Sequence, residues 1–377
     1  MKLTFIGDVM LGRLIASKYR QSHYQIVSDD LISQITQSDF IIANLESPIL
    51  HESIEVTDHM RFCGNPDILH QLKWINLFSL ANNHINDYGD KGIQNTLLAL
   101  EQNCIYHTGI YENEYTPYLI ESEKIAIITF TDLMNHELSK DSKYRVLRMG
   151  DVKIEQTIKK YKEQGYFTII YAHVGMLFTR FPNPITYNYL HKLVDVGANL
   201  IVTAHSHCLG GIEYYKDTPI MHSLGDFIMD GSSFRRRKAA YLSCTIVSHQ
   251  IESLVLTPTI TNIALETTLP NDKLTHKLQK STRKISQKIK KNEKRYTNFY
   301  KSQYRFEIIN HSFSTLKFIL QTEGIKALLH TLFLRIEDVR RIIKWCFKDR
   351  SNVQSDTDAL KNKTILSEKD IFNHDKN

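Results

Sequence analysis

An α/β fold is predicted for this 377-residue chain by three features. Short β-branched runs alternate with longer amphipathic windows up to about residue 265. Several runs are apolar at nearly every position rather than at alternate ones, as expected of strands buried on both faces. Polar residues concentrate where the runs end, which is where α/β sheets place their sites. In chain order the candidate strands are 3–6, 40–43, 77–80, 125–130, 167–173, 200–203, 220–223 and 240–248. Between them, 90–102, 151–164 and 185–196 carry apolar residues at helical spacing and read as helices. The expected first domain is 1–265, within the reach of one α/β unit.

After Pro270 the composition changes. Glycine nearly vanishes, with only Gly324 remaining, lysine rises and strand signals stop. A basic, amphipathic helical extension is expected over 270–348, followed by a polar, disordered tail over 349–377. Leu274, Ile285 and Tyr296 are eleven apart, as are Leu278, Ile289 and Tyr300, so they share one helical stripe. Opposite that stripe lies a lysine-rich face. Two readings of the stripe stay open: packing on the first domain, or lying in the interface of an anionic bilayer.

The overall composition, 42% hydrophobic and 23% charged, excludes a wholly disordered, collagen-like or multi-span membrane protein. The formal charge of +6 is unevenly spread: 273–305 carries twelve basic residues against Glu293 alone, a net +11, which leaves the remainder at −5. A general nucleic-acid surface is therefore not expected. Cys63, Cys104, Cys208, Cys244 and Cys346 are odd in number and form no CxxC pair, which fits reduced thiols in the cytoplasm. Asp8 interrupts the apolar run at 1–11, so that run does not read as a signal peptide.

Five strand ends carry chemistry: Gly7-Asp8 with Arg13, Asn44-Leu45-Glu46, Asn82-Asn83-His84 with Asp87, His173-Val174-Gly175, and His205-Ser206-His207. Carboxylate, amide oxygen and imidazole are ligands that suit Mn, Fe or Zn. A pair of such ions about 3.5–4 Å apart needs a bridging carboxylate to offset their repulsion. Asp8, Glu46, Asn83, His173, His205 and His207 supply that set, and His205 and His207 can present ring nitrogens to two different ions from one turn.

The ordered series GD, NLE, ANNHxxDxG, HxG, AHxH and SLGDF resembles the CapA capsule-synthesis family of the poly-γ-glutamate type, itself similar to the calcineurin-like metallophosphoesterases; the resemblance covers about 1–230. It implies a four-layer αββα sandwich and one or two divalent ions. By that resemblance Asp8 and His207 bind one ion, Asn83, His173 and His205 the other, and Glu46 bridges. His84 would be the general acid or a hydrogen-bond donor to the transition state, Asp87 would orient it, and Arg13 would hold an anionic oxygen.

Three departures stand out: Met10 where the superfamily has a second histidine ligand, Val174 and Leu177 in place of the tryptophan and acid of HWGxE, and Asp226 in place of asparagine. Asp226 is a candidate to compensate for the lost ligand. The function implied is a metal-dependent hydrolase or transferase in capsular or other surface-polymer biosynthesis, acting on an anionic polymer or a phosphate-containing small substrate. The alternative is a non-catalytic scaffold in a membrane-associated synthesis complex. In either case the expected location is cytoplasmic, with contact to the inner face of the membrane or to the complex through 273–305.

Overall fold

The computed structural model describes residues 1–50 and 61–334. The expected end of the helical extension, 335–348, and the tail 349–377 lie outside the described residues. The chain opens with β1 (Lys2–Val9), α1 (Arg13–Ser22), α2 (Asp29–Ile35), β2 (Phe40–Leu45), β3 (Leu77–Ser79) and α3 (Gly89–Gln102). Next come β4 (Tyr106–Thr108), β5 (Ile110–Tyr111), β6 (Tyr118–Ile120), β7 (Ile125–Thr131), β8 (Arg145–Val146), α4 (Val152–Glu163), β9 (Phe167–His173), α5 (Pro184–Val196) and β10 (Leu200–Ala204). The last strands are β11 (Ile212–Tyr215), β12 (Thr218–Met221), β13 (Asp226–Ile228), β14 (Lys238–Val247), β15 (Gln250–Thr261) and β16 (Thr267–Thr268). Helices α6 (Asp272–Asn292), α7 (Tyr296–Thr322) and α8 (Gly324–Leu334) follow.

Side-chain alternation along the strands explains why the layers form. Leu3, Phe5, Ile42 and Leu242 of one sheet share a core with Ile127, Ile169, Tyr171 and Val202 of another. The alternate residues face outward. Ile6, Ile41 and Phe78 pack under α1, α2 and α3 through Ile15, Leu31 and Ile93, while Ile128, Ile170 and Ile201 pack under α4 and α5 through Ile154, Ile158 and Leu190. Both faces of the central strands are thus dry, which is why their runs read as largely apolar. The result is an αββα sandwich.

One sheet has the order β16-β15-β14-β1-β2-β3-β4 with β13 also beside β1, and the other β11-β12-β10-β9-β7-β6. Within them β1, β2 and β3 run parallel, as do β7, β9 and β10. Parallel strands present all their carboxyl ends along one rim. The two rims meet, because the backbone N–H of His205, just after β10, donates to Asp8 Oδ2 on β1 at 3.1 Å.

Helices α6 and α7 lie against this sandwich. Asn271 caps α6, its Oδ1 accepting the Leu274 N–H at 3.0 Å. Leu278, Ile285 and Ile289 are buried, and Ile285 and Ile289 join a core cluster with Phe181, Tyr187, Tyr296, Tyr300 and Tyr304. Ser286 Oγ accepts the N–H of Ile212 at 2.9 Å, seating α6 at the start of β11. The eleven-residue stripe therefore faces protein, and its reading as a lipid-facing surface is corrected: burying these apolar groups on the domain removes the same area from water without a bilayer. The basic residues of α6, from Lys273 to Lys291, remain exposed. None of the described helices is long and apolar enough to cross a membrane.

Ile285 is 3% exposed. Its replacement by alanine is expected to cost about 2–5 kcal/mol of unfolding free energy in urea titrations. A loss below about 0.5 kcal/mol, the size of an ordinary surface change, would mean that the stripe is not packed as described.

Candidate metal centre

The first strand carries its site residue through a close approach of two backbones. A Cβ on Gly7 would lie 2.0 Å from the Gly225 carbonyl oxygen, so only glycine allows this contact. The Asp8 N–H donates to that same oxygen at 3.1 Å. Parallel pairing then sets Asp8 level with Asp226 on one side and Asn44 on the other. Beyond β10 the chain turns sharply, with His205 at φ 100° and His207 at φ 54°. Left-handed conformations of this kind are costly for non-glycine residues and persist where the surroundings over-determine them.

These constraints bring all six candidate ligands together. His173 Nε2 lies 2.7 Å from Asn83 Oδ1, 2.9 Å from His205 Nδ1 and 3.5 Å from Glu46 Oε1. Its Nδ1 is 3.0 Å from Asn44 Nδ2 and 3.4 Å from Asp8 Oδ1. On the other side, His207 Nδ1–H donates to Asp226 Oδ1 at 2.7 Å, and His207 Nε2 lies 3.9 Å from Glu46 Oε1. Two groups emerge, Glu46 with His173 and His205, and Asp8 with His207 and Asp226, each with its ligand atoms within 4.8 Å of one another.

Burial makes the charge state of this cluster strongly coupled. Asp8 and Glu46 are 0% exposed. Burial opposes a charged His173, but Asp8 and Glu46 outweigh it and push its pKa up to about 10. Burial and the neighbouring His173 and His207 hold His205 well below the usual imidazole range. Burial lowers His207 too, yet Asp226 and Glu46 carry it above its ordinary value.

The donor set fits a divalent cation. Neither carboxylate oxygen of Glu46 has a hydrogen-bond partner among the described residues, although both are fully buried. A buried carboxylate without donors is costly unless a cation compensates it. Imidazole, carboxylate and amide oxygen suit Mn, Fe or Zn.

His84 stands beside this cluster. Its Nδ1 lies 2.8 Å from Asp87 Oδ2, which also accepts the Phe62 N–H at 2.7 Å, and the Phe62 ring stacks on the imidazole at 3.7 Å. Asp87 therefore orients the ring, and Asn135 Nδ2 lies 3.1 Å from its Nε2. Arg13 has a different setting from the one expected: its Nε donates to Asp230 Oδ2 at 3.2 Å and its Nη2 to Asp230 Oδ1, while the guanidinium lies 4.6 Å from the Phe62 ring centre. Its charge is already paired with a buried carboxylate. Met10, at the position of the superfamily's second histidine, is fully buried in the helix-covered core, and its Sδ accepts the Gly12 N–H at 3.0 Å.

Several site residues escaped sequence reasoning. Asn82 ties the motifs together, its Nδ2 donating to Asn44 Oδ1 at 3.1 Å and its Oδ1 accepting the His84 N–H at 3.1 Å. Asn135 Oδ1 accepts from Asn83 Nδ2 at 3.1 Å, which turns Asn83 Oδ1 toward His173. Asp132 Oδ2 accepts the Gly175 N–H at 2.8 Å, bracing the loop after His173. Asn82 sat within a recognised motif, whereas nothing in the sequence around Asn135 or Asp132 marks them.

The chain is similar to several known proteins. The family described as bacterial capsule synthesis protein PGA_cap matches residues 2–231. The chain is 25% identical over 256 residues to the capsule biosynthesis protein CapA of Bacillus anthracis, covering 64% of this chain and 62% of that protein. It is 24% identical over 288 residues to the PGA biosynthesis protein CapA of Bacillus subtilis, covering 74% and 76%. A probable polyglutamine synthesis accessory protein of Mycobacterium tuberculosis is 24% identical over 232 residues, covering 52% and 57%. Among solved structures, a 5'-nucleotidase of Candida albicans aligns at 11% identity with a TM-score of 0.37, covering 75% of this chain and 58% of that one. With the family match extending over more than half its length, the chain belongs to the bacterial capsule synthesis protein PGA_cap family.

Proposed function

We propose that this chain is a metal-dependent hydrolase or transferase in capsular or other surface-polymer biosynthesis, working on an anionic polymer or a phosphate-containing small substrate. The observation that carries the reading is Glu46: a fully buried carboxylate with no hydrogen-bond partner among the described residues, set between His173 and His207. One or two Mn, Fe or Zn ions held there would stabilise charge developing on a scissile phosphoryl or acyl group. Glu46, Asn83, His173 and His205 would hold one ion and Asp8 and His207 the other, with Glu46 shared. Because His207 turns Nε2 toward Glu46, its Nδ1–H is left for Asp226, which fixes the ring as a carboxylate partner does in many metal sites. His84 would serve as the general acid or as a hydrogen-bond donor to the transition state, with Asp87 holding its Nδ1.

A second reading, a non-catalytic scaffold, is favoured by two observations: Met10 contributes core packing rather than a ligand, and Arg13 is already paired. The exposed lysines of α6 suit electrostatic contact with an anionic membrane face or with a synthesis complex in either case. Cys63, Cys104, Cys208 and Cys244 are free thiols, which supports a reducing, cytoplasmic setting.

Two variants separate a ligand from a proton donor. His205→Ala is expected to lose bound metal, measured by inductively coupled plasma mass spectrometry on purified protein. His84→Ala is expected to keep the metal and lose about 10²–10⁴-fold in turnover, in a screen of phosphodiesters, phosphomonoesters and γ-glutamyl amides. Equal metal loss in both variants would refute the division of roles, and a wild-type protein without metal would favour the scaffold. Asp226→Ala is expected to weaken metal binding by about 10–100-fold, the usual effect of removing a histidine's carboxylate partner; unchanged affinity in metal titrations would show that His207 is oriented by something else.

A further inference from the structure

Helix α7 is not a passive appendage. Its buried residues Tyr296, Tyr300, Tyr304, Glu307, His311 and Thr315 recur every three or four positions and form one stripe. The charged member of that stripe, Glu307, is 1% exposed. Arg180 Nη2 donates to Glu307 Oε1 at 2.7 Å, and Arg180 Nε and backbone N–H donate to Oε2 at 3.0 and 3.2 Å. Arg235 Nη2 donates to the same Oε2, and Arg235 Nη1 donates to the Glu307 carbonyl at 3.0 Å. One carboxylate thus joins two loops that are far apart in sequence. Burial raises its pKa, but Arg180 and Arg235 outweigh burial and hold it below the usual range.

Both loops lead to the metal centre. Arg180 follows His173, and two residues before it Phe178 stacks on His311 of α7 at 4.1 Å, with its ring 6.1 Å from that of His207. Arg235 precedes Arg236, whose Nε is 3.4 Å from Asp226 Oδ2, and Asp226 in turn holds His207. Farther along α7, Phe318 packs on Phe234 at 5.2 Å. Arg235 and Glu307 both lie beyond residues 2–231, the part that matches the family.

We propose that Glu307 is a positioning residue for the metal centre: by pinning α7 to the loops at 174–183 and 229–237, it holds Phe178 beside His207 and limits access to that ring. The salt-bridged carboxylate is worth more here as a fastener than as a source of stability, because a buried ion pair gains little over apolar packing, while losing one partner leaves the others uncompensated. The inference goes beyond the ligand roles proposed above and depends on them only in its metal readout.

The test uses the full-length chain. Carbethoxylation of His207 by diethyl pyrocarbonate, followed by mass spectrometry on chelator-stripped protein, reports access to that ring. Hydrogen–deuterium exchange reports the two loops. Glu307→Gln is expected to label His207 several-fold faster and to raise exchange in both loops together, with β9 and β10 still protected; Glu307→Asp should restore part of the wild-type behaviour. Wild-type labelling and loop exchange in a folded Glu307→Gln protein would overturn the proposal. If that variant does not fold, Phe178→Leu leaves the clamp intact and should still speed labelling of His207; an unchanged rate would overturn it equally. Titration with Co²⁺ adds a spectroscopic signature: Glu307→Gln should weaken binding by about tenfold and alter the visible absorption bands, whereas identical affinity and bands would contradict positioning. A wild-type chain that takes up no Co²⁺ would refute the metal reading alone, and the labelling comparison would still decide the clamp.

Discussion

Two carboxylates at zero exposure, Asp8 and Glu46, set the terms for the rest of the site. Burial of an anion is among the largest unfavourable contributions a fold can contain, and it is tolerated only with a partner cation, donated hydrogen bonds or a shift to the neutral form. Asp8 receives such help from the Asn44 amide at 2.7 Å, from the His205 N–H at 3.1 Å and from the charge on His173. Glu46 receives no donated hydrogen bond among the described residues and has imidazoles around it instead. That asymmetry is the observation on which the proposed cation site rests.

The fold supplies the geometry through ordinary rules. Parallel strands in each sheet direct their carboxyl ends to one rim, the two sheets pack through a shared apolar core, and their rims meet across Asp8 and His205. Close contact between Gly7 and Gly225 levels Asp8 with Asp226, so the substituted carboxylate arrives beside His207 by register. Helices α6 and α7 cover the segment that follows His173, their aromatic stripe, from Tyr296 to Tyr304, packing on Phe181 and Tyr187.

Much of this was legible in the sequence, and the reasons are specific. Strands such as β7 and β9 announce themselves because every position is buried and most are apolar. The six candidate ligands were readable because each lies at the end of a strand or just beyond one. By contrast β15 was missed: its outer face is exposed, and its burial alternates irregularly with Glu252, Ser253 and Pro258 among its residues. Helix α1 was missed because Gly12 and a positive φ at Arg13 begin it in place of a side-chain cap. Arg13 read as an anion holder because its partner, Asp230, lies 217 residues away. The Glu307 clamp was illegible for the same reason, since it joins residues 127 and 72 positions apart with no local pattern. Periodicity reveals what a segment buries, but not which distant charge it meets.

The central claim is that the carboxylates and imidazoles around Glu46 form a cation site. Anomalous diffraction from crystals of the full chain soaked in Mn²⁺ tests it most directly, with data on both sides of the manganese edge. The account predicts density among Glu46, Asn83, His173 and His205, and, if a second ion binds, a further peak toward Asp8 and His207 about 3.5–4 Å away. Anomalous density confined to the protein surface, with Glu46 instead hydrogen-bonded to ordered water, would contradict it.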